Sequence, residues 1–135
     1  MSKTTTGNQS QSSRLRLILC TGSFVFGLSA FALIAVPGVF NDLLGLETRP
    51  DIEWSMRMIG ITLVALAGNM FSVSRRGSDE SVLFSGRVMA VSALALGVIT
   101  LCIPVQLTWF AIAYALVGFS FSAAYAVVLF VKPSD

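Results

Sequence analysis

VMAVSALALGVITLCIPVQLTWFAIAYALVGFSFSAAYAVVLFV, residues Val88–Val131, contains no Asp, Glu, Lys, Arg or His. A helix rises about 1.5 Å per residue, so roughly 20 apolar residues cross a hydrocarbon core about 30 Å thick. This stretch is long enough for two crossings. Ile103-Pro104-Val105-Gln106 interrupts it, which predicts two spans joined by a tight link. Leu17–Val36 and Met58–Val73 have the same character, with no charge near the middle of either. The expected fold is all-α: a four-transmembrane-helix antiparallel bundle with spans at about 15–37, 55–74, 87–104 and 106–131.

Composition agrees. Hydrophobic residues make up 55% of the 135 and charged residues 12%, with a mean hydropathy of +0.81. A soluble domain carries about 25% charged residues. Four spans use most of the chain, leaving no room for a soluble catalytic domain. A net charge of +2 argues against a nucleic-acid partner. Histidine is absent, which excludes His-ligated haem, typical Zn and Cu centres and Ser-His-Asp chemistry. No cofactor is expected. Cys20 and Cys102 lie at different depths in the expected bundle, too far apart for a disulfide.

Charges set the expected orientation. Of the nine Lys and Arg, Lys3, Arg14, Arg16, Arg75, Arg76, Arg87 and Lys132 fall on one side of the spans, and only Arg49 and Arg57 on the other. Basic residues collect in cytoplasmic loops, so both termini are expected in the cytoplasm, with the chain integral to the cytoplasmic (inner) membrane. Trp54 and Trp109 begin spans on the opposite side, where an aromatic belt places them. Ala30-Phe31-Ala32 has the form of a signal-peptidase site, but the apolar run continues through Val36, past a usual signal core. The first span is therefore expected to be retained.

Residues 1–13 are polar and rich in Ser, Thr and Gln, and read as a flexible cytoplasmic tail; 14–132 form the membrane domain and 133–135 a short C-terminal tail. After span one, Pro37 suits a helix start and Gly45 a helix stop. Val39, Phe40, Leu43 and Leu44 share one face between them, with Asn41 and Asp42 turned away. This predicts a short amphipathic interfacial helix. Asp51 or Ser55 is placed to cap span two, and Glu53 and Arg57 are spaced for an ion pair. Ser78-Asp79-Glu80 suits the cap of a short turn leading into Val82.

Helices in lipid approach closely where residues are small. Each span carries such a stripe: Cys20, Ser23, Gly27 and Ala30; Ala65, Gly68 and Ser72, with Gly60 nearby; Gly86, Ala90, Ala93 and Gly97; Ala111, Ala115, Gly118 and Ser122. The large residues Phe24, Phe26, Phe31, Phe71, Phe119, Phe121 and Phe130 are then expected to face lipid or another protein. Asn69 stands out in span two, and is expected to bond Ser72, Ser92 or a carbonyl between helices. Tyr114, Ser120, Ser122 and Tyr125 share span four as interhelical contacts or the lining of a polar groove. Phe40, Glu53, Trp54, Arg57 and Trp109 are the candidate contacts at the outer interface.

Val36-Pro37-Gly38-Val39-Phe40-Asn41-Asp42-Leu43-Leu44-Gly45-Leu46, followed by Trp54 and by Arg57-Met58-Ile59-Gly60, resembles small four-helix bacterial membrane proteins of the DoxX-like kind. The resemblance covers about 30 residues around spans one and two. It implies the same fold, in a group named after a subunit of a membrane oxidoreductase.

Three functions compete. A non-catalytic accessory or assembly subunit, packing on a membrane-protein partner or on itself, fits the absent catalytic groups and the Phe-rich faces. A lipid-, quinone- or small-molecule-binding or transport protein is the alternative, without the intramembrane Glu that proton-coupled export needs. An enzyme would have to use the outer cluster Asp42, Glu47, Asp51, Glu53 and Arg57, which lacks a nucleophile or ligand set; no catalytic or metal-binding residue is expected.

Overall fold

The computed structural model describes residues 3–131, with side chains described from residue 9. Five helices follow in order: α1 Lys3–Ala35, α2 Pro37–Leu44, α3 Pro50–Arg76, α4 Asp79–Leu101 and α5 Trp109–Phe130. No strand occurs among the described residues. α1, α3, α4 and α5 are each long and apolar enough to cross a membrane, as an integral membrane protein requires.

α3 overruns its expected span at both ends, α1 and α4 begin and end earlier than expected, and α5 is shorter at both ends; local chemistry sets most of the ends. α3 opens at Pro50, whose fixed φ suits the first helical position; Arg49 is the N-cap residue, without a side-chain cap. Asp51, one of the two expected caps, instead lies in the first turn and receives the Arg49 side chain at 2.7 Å. α4 begins at Asp79 because the Ser78 hydroxyl accepts the Ser81 N–H at 3.3 Å. The separate turn expected before Val82 is absorbed into that helix, leaving Gly77 and Ser78 as the link. Thr108 starts α5 by accepting the Ala111 N–H, and its own hydroxyl donates to the Leu43 carbonyl at 2.6 Å. One side chain thus caps a span and ties it to α2.

Residues 3–13, expected as a flexible tail, are helical and continuous with the first span. Its polar contacts lie far away in sequence. The last four carbonyls of a helix have no partner within it. Gln11 Nε2 donates to two such carbonyls of α5, Val128 at 2.9 Å and Leu129 at 3.3 Å. Arg16 donates to the Ser74 carbonyl at the end of α3 and to the Gly77 carbonyl just beyond it. One helix therefore caps the C-terminal ends of two others. Met1, Ser2, Lys132 and the expected tail at 133–135 lie outside the described residues.

α1 packs mainly on α3, and α4 mainly on α5. At the first crossing, a Cβ on Gly60 would lie 2.7 Å from Ile34 Cγ1 and 3.1 Å from the Ala30 carbonyl oxygen; one on Gly22 would lie 2.7 Å from Met70 Cε. At the second, a Cβ on Gly118 would lie 3.0 Å from the Ala93 carbonyl oxygen and 3.2 Å from the Gly97 nitrogen. Ser122 Oγ donates to the Ala90 carbonyl at 2.9 Å. Leu15, Leu19, Met70, Val82, Met89 and Tyr125 form one buried cluster, and Leu33, Phe40, Leu44 and Ala111 another under α2.

The small-residue stripes of α4 and α5 face inward, with Gly86, Ala93, Gly97, Ala111, Ala115 and Gly118 buried. In α1, Ser23 and Ala30 are buried while Gly27 faces open space. The stripe of α3 is rotated from expectation. Gly60, Ala67, Met70 and Ser74 are its buried residues, and Ala65, Gly68 and Ser72 face outward. Phe24, Phe31, Phe71 and Phe130 are exposed, whereas Phe26, Phe119 and Phe121 are half-buried.

α2 is the expected short helix, but it presents another face. Pro37, Phe40, Asn41 and Leu44 are buried while Val39 is exposed. The i, i+3, i+4, i+7 spacing of the first set matches a helical stripe. Gly45 ends the helix at φ 77°, a left-handed conformation that favours glycine. Its N–H bonds the Asp42 carbonyl and the Leu46 N–H bonds the Asn41 carbonyl, as in a Schellman stop.

Candidate functional site

Asn69 lies on the outer face of α3. It is exposed and hydrogen-bonds no described residue, so the expected bond within the bundle does not form. Ala65, Gly68 and Ser72 share that face, and a Cβ on Gly68 would meet nothing within 4 Å. α3 is also the least covered span, with 11% of its most apolar stretch buried against 28% in α1 and in α4. An amide thus stands six residues from Arg75, about 9 Å along the helix axis, on a flat face of small side chains.

The polar residues of span four point different ways. Ser120 is exposed and Ser122 bonds α4. The Tyr125 hydroxyl is buried without a partner in the core cluster that holds Leu15 and Met70. Tyr114 packs edge-on against Phe40 at 5.9 Å and stacks with Phe110 at 6.1 Å. It also borders an interior cavity of about 20 Å³ with Ser29, Phe26 and Phe121. That volume suits roughly one water molecule and excludes a quinone ring. No shared polar groove forms along this helix.

At the α2 end, Phe40 is buried in the aromatic cluster and is an internal contact rather than an outer one. Trp54 and Trp109 are exposed at the first turns of α3 and α5. Glu53 lies against Gly38 of α2, and Arg57 is exposed. The ion pairs among the described residues are Arg16–Asp79 and Arg49–Asp51, so the expected Glu53–Arg57 pair is not formed. Asp42 accepts the Thr48 hydroxyl at 2.7 Å and Glu47 is exposed. Among the described residues no three His, Cys, Asp or Glu are placed to hold a metal ion. Cys20 and Cys102 are free thiols.

Asn41 is the site residue that sequence reasoning missed. Its polarity predicts the outer face of α2, yet it is 0% exposed and neither amide atom has a partner. A buried unsatisfied amide costs about 1–3 kcal/mol. Asn41→Leu, of similar size and apolar, is expected to stabilise the bundle by about 1–2 kcal/mol, read as a higher Tm by circular dichroism in mild detergent. A lower Tm would mean that the amide holds a partner the bundle needs.

Comparison with models of known families, with curated proteins and with solved structures gives no match for this chain.

Proposed function

We propose that this is a non-catalytic integral membrane protein acting as an accessory or assembly subunit that packs on a larger membrane protein through the outer face of α3. The supporting observation is Asn69. An amide facing hydrocarbon without a partner costs free energy, and a neighbouring helix that bonds it recovers that cost. Ala65, Gly68 and Ser72 around it let a second backbone approach closely. Within the same reading the four spans run antiparallel, both termini are cytoplasmic and the membrane is the bacterial inner membrane. The antiparallel order accords with Gly60 meeting Ala30 while Gly22 meets Met70. The orientation accords with the excess of Arg at the Arg16 end. The DoxX-like resemblance belongs to this proposal, its supporting element being the short helix between Pro37 and Gly45.

Purification in mild detergent followed by mass spectrometry tests the reading. The wild-type chain is expected to carry a stoichiometric membrane partner that A65L/N69L loses while keeping its helicity. Homodimers or partner-free monomers from the wild type would sink the accessory role.

A further inference from the structure

Where the N-terminal part of α1 meets the last turn of α3, the bundle opens into a cleft of about 620 Å³. Arg16, Arg75 and Arg76 line it together with Ser13. We infer that this cleft binds the phosphate of an anionic phospholipid headgroup. The inference rests on the membrane-spanning reading and not on the accessory role.

Charge is the first argument. Three arginines line the cleft. The one described acidic partner among them, Asp79, pairs with Arg16 at 3.0 Å, while Arg75 and Arg76 have no acidic partner among the described residues. Guanidinium forks match phosphate oxygens, and basic pockets between membrane helices on the cytoplasmic side are suited to acidic headgroups. Preorganisation is the second. The Ser74 and Gly77 carbonyls fix Arg16, and the Arg75 guanidinium carbon lies 5.5 Å from the centre of the Phe71 ring. Little side-chain freedom is left for a ligand to remove at Arg16.

Depth separates a lipid from a soluble anion. Arg16 directly precedes the apolar run that begins at Leu17, and Arg75 and Arg76 follow the one that ends at Val73. The cleft therefore sits at headgroup level. On its hydrocarbon side the exposed Leu17 and Phe24 of α1 and Phe71 of α3 offer apolar surface to acyl chains. A free phosphate would use the guanidiniums but not these side chains.

The test uses the full chain in dodecyl maltoside with equal amounts of dioleoylphosphatidylglycerol and dioleoylphosphatidylcholine. Native mass spectrometry counts the lipid retained. Wild type is expected to retain the anionic phosphatidylglycerol preferentially, and R75Q/R76Q to lose that preference by roughly 25-fold. R14Q/R87Q removes the same charge from the same end of the bundle outside the cleft, and is expected to keep the preference. Equal loss in both pairs would replace the site with diffuse surface charge. Equal retention of the two lipids by wild type, or displacement by glycerol 3-phosphate at matching concentration, would also overturn it. Release of the wild-type chain from membranes by alkaline carbonate would instead sink the spanning reading, a separate result.

Discussion

Gly118→Val is expected to force α4 and α5 apart and to destabilise the bundle by about 3 kcal/mol or prevent its folding. The neighbours of the missing Cβ decide the size of the effect. They are the Ala93 carbonyl oxygen at 3.0 Å and the nitrogen and Cα of Gly97 at 3.2 and 3.3 Å, all backbone atoms. A crowded side chain can change rotamer, but crowded backbone moves only with its helix. Overpacking in a dense core costs about 1–3 kcal/mol even where side chains adjust. Reciprocal contact adds to this, because Gly97 is itself covered by the Phe119 ring, 2.9 Å from where its Cβ would stand. Displacing α5 also breaks the Ser122 bond to Ala90. Gly27→Val is the control, since nothing lies within 4 Å of its Cβ position. It is expected to lose no stability, because leaving glycine favours a helix interior. Thermal unfolding followed by circular dichroism in mild detergent reads both variants. Equal Tm values for Gly118→Val and wild type would refute the close α4–α5 crossing.

The spans were legible because a charge-free apolar run of this length has few other solutions. The short helix α2 was legible because proline and glycine punctuate both its ends. Rotation about the axis was not. α3 carries small residues on more than one side, so the Ala65, Gly68, Ser72 stripe and the Gly60, Ala67, Ser74 stripe look alike in sequence, and packing on α1 selects the second. Asn41 is illegible for a related reason: polarity places an amide outside, while the Phe40 and Leu44 contacts carry it inside. The candidate site is the least legible part, since polarity predicts Asn69 between helices and it stands outward. The N-terminal helix was illegible because its partners are distant. Gln11 bonds a carbonyl 117 residues further along the chain, and local composition records only a polar, low-propensity segment.

That distant capping gives Arg16 a larger role than its place at a membrane boundary suggests. Arg16→Met is expected to cost about 2 kcal/mol, since bonds from a charged donor to otherwise unpaired acceptors are the stronger kind. It removes the bond to the Ser74 carbonyl at 3.2 Å, the bond to the Gly77 carbonyl at 2.7 Å and the pair with Asp79. The methionine keeps much of the apolar stem, so the loss reports on the guanidinium. Asp79→Asn separates the contributions. Its side chain is half exposed, and exposed ion pairs contribute about 0–1 kcal/mol, so a small change is expected there. Arg16→Lys restores the charge but not the fork that reaches two carbonyls at once, and is expected to recover only part of the loss. A second readout follows from continuity of the helix. With the α3 end uncapped, α1 loses one of the two side chains that tie it to other helices among the described residues, Gln11 being the other. Limited proteolysis of Arg16→Met in detergent is then expected to cut within residues 3–13 faster than in wild type. Asp79→Asn matching Arg16→Met in both Tm and proteolysis would mean that the ion pair, and not the carbonyl caps, holds this end together.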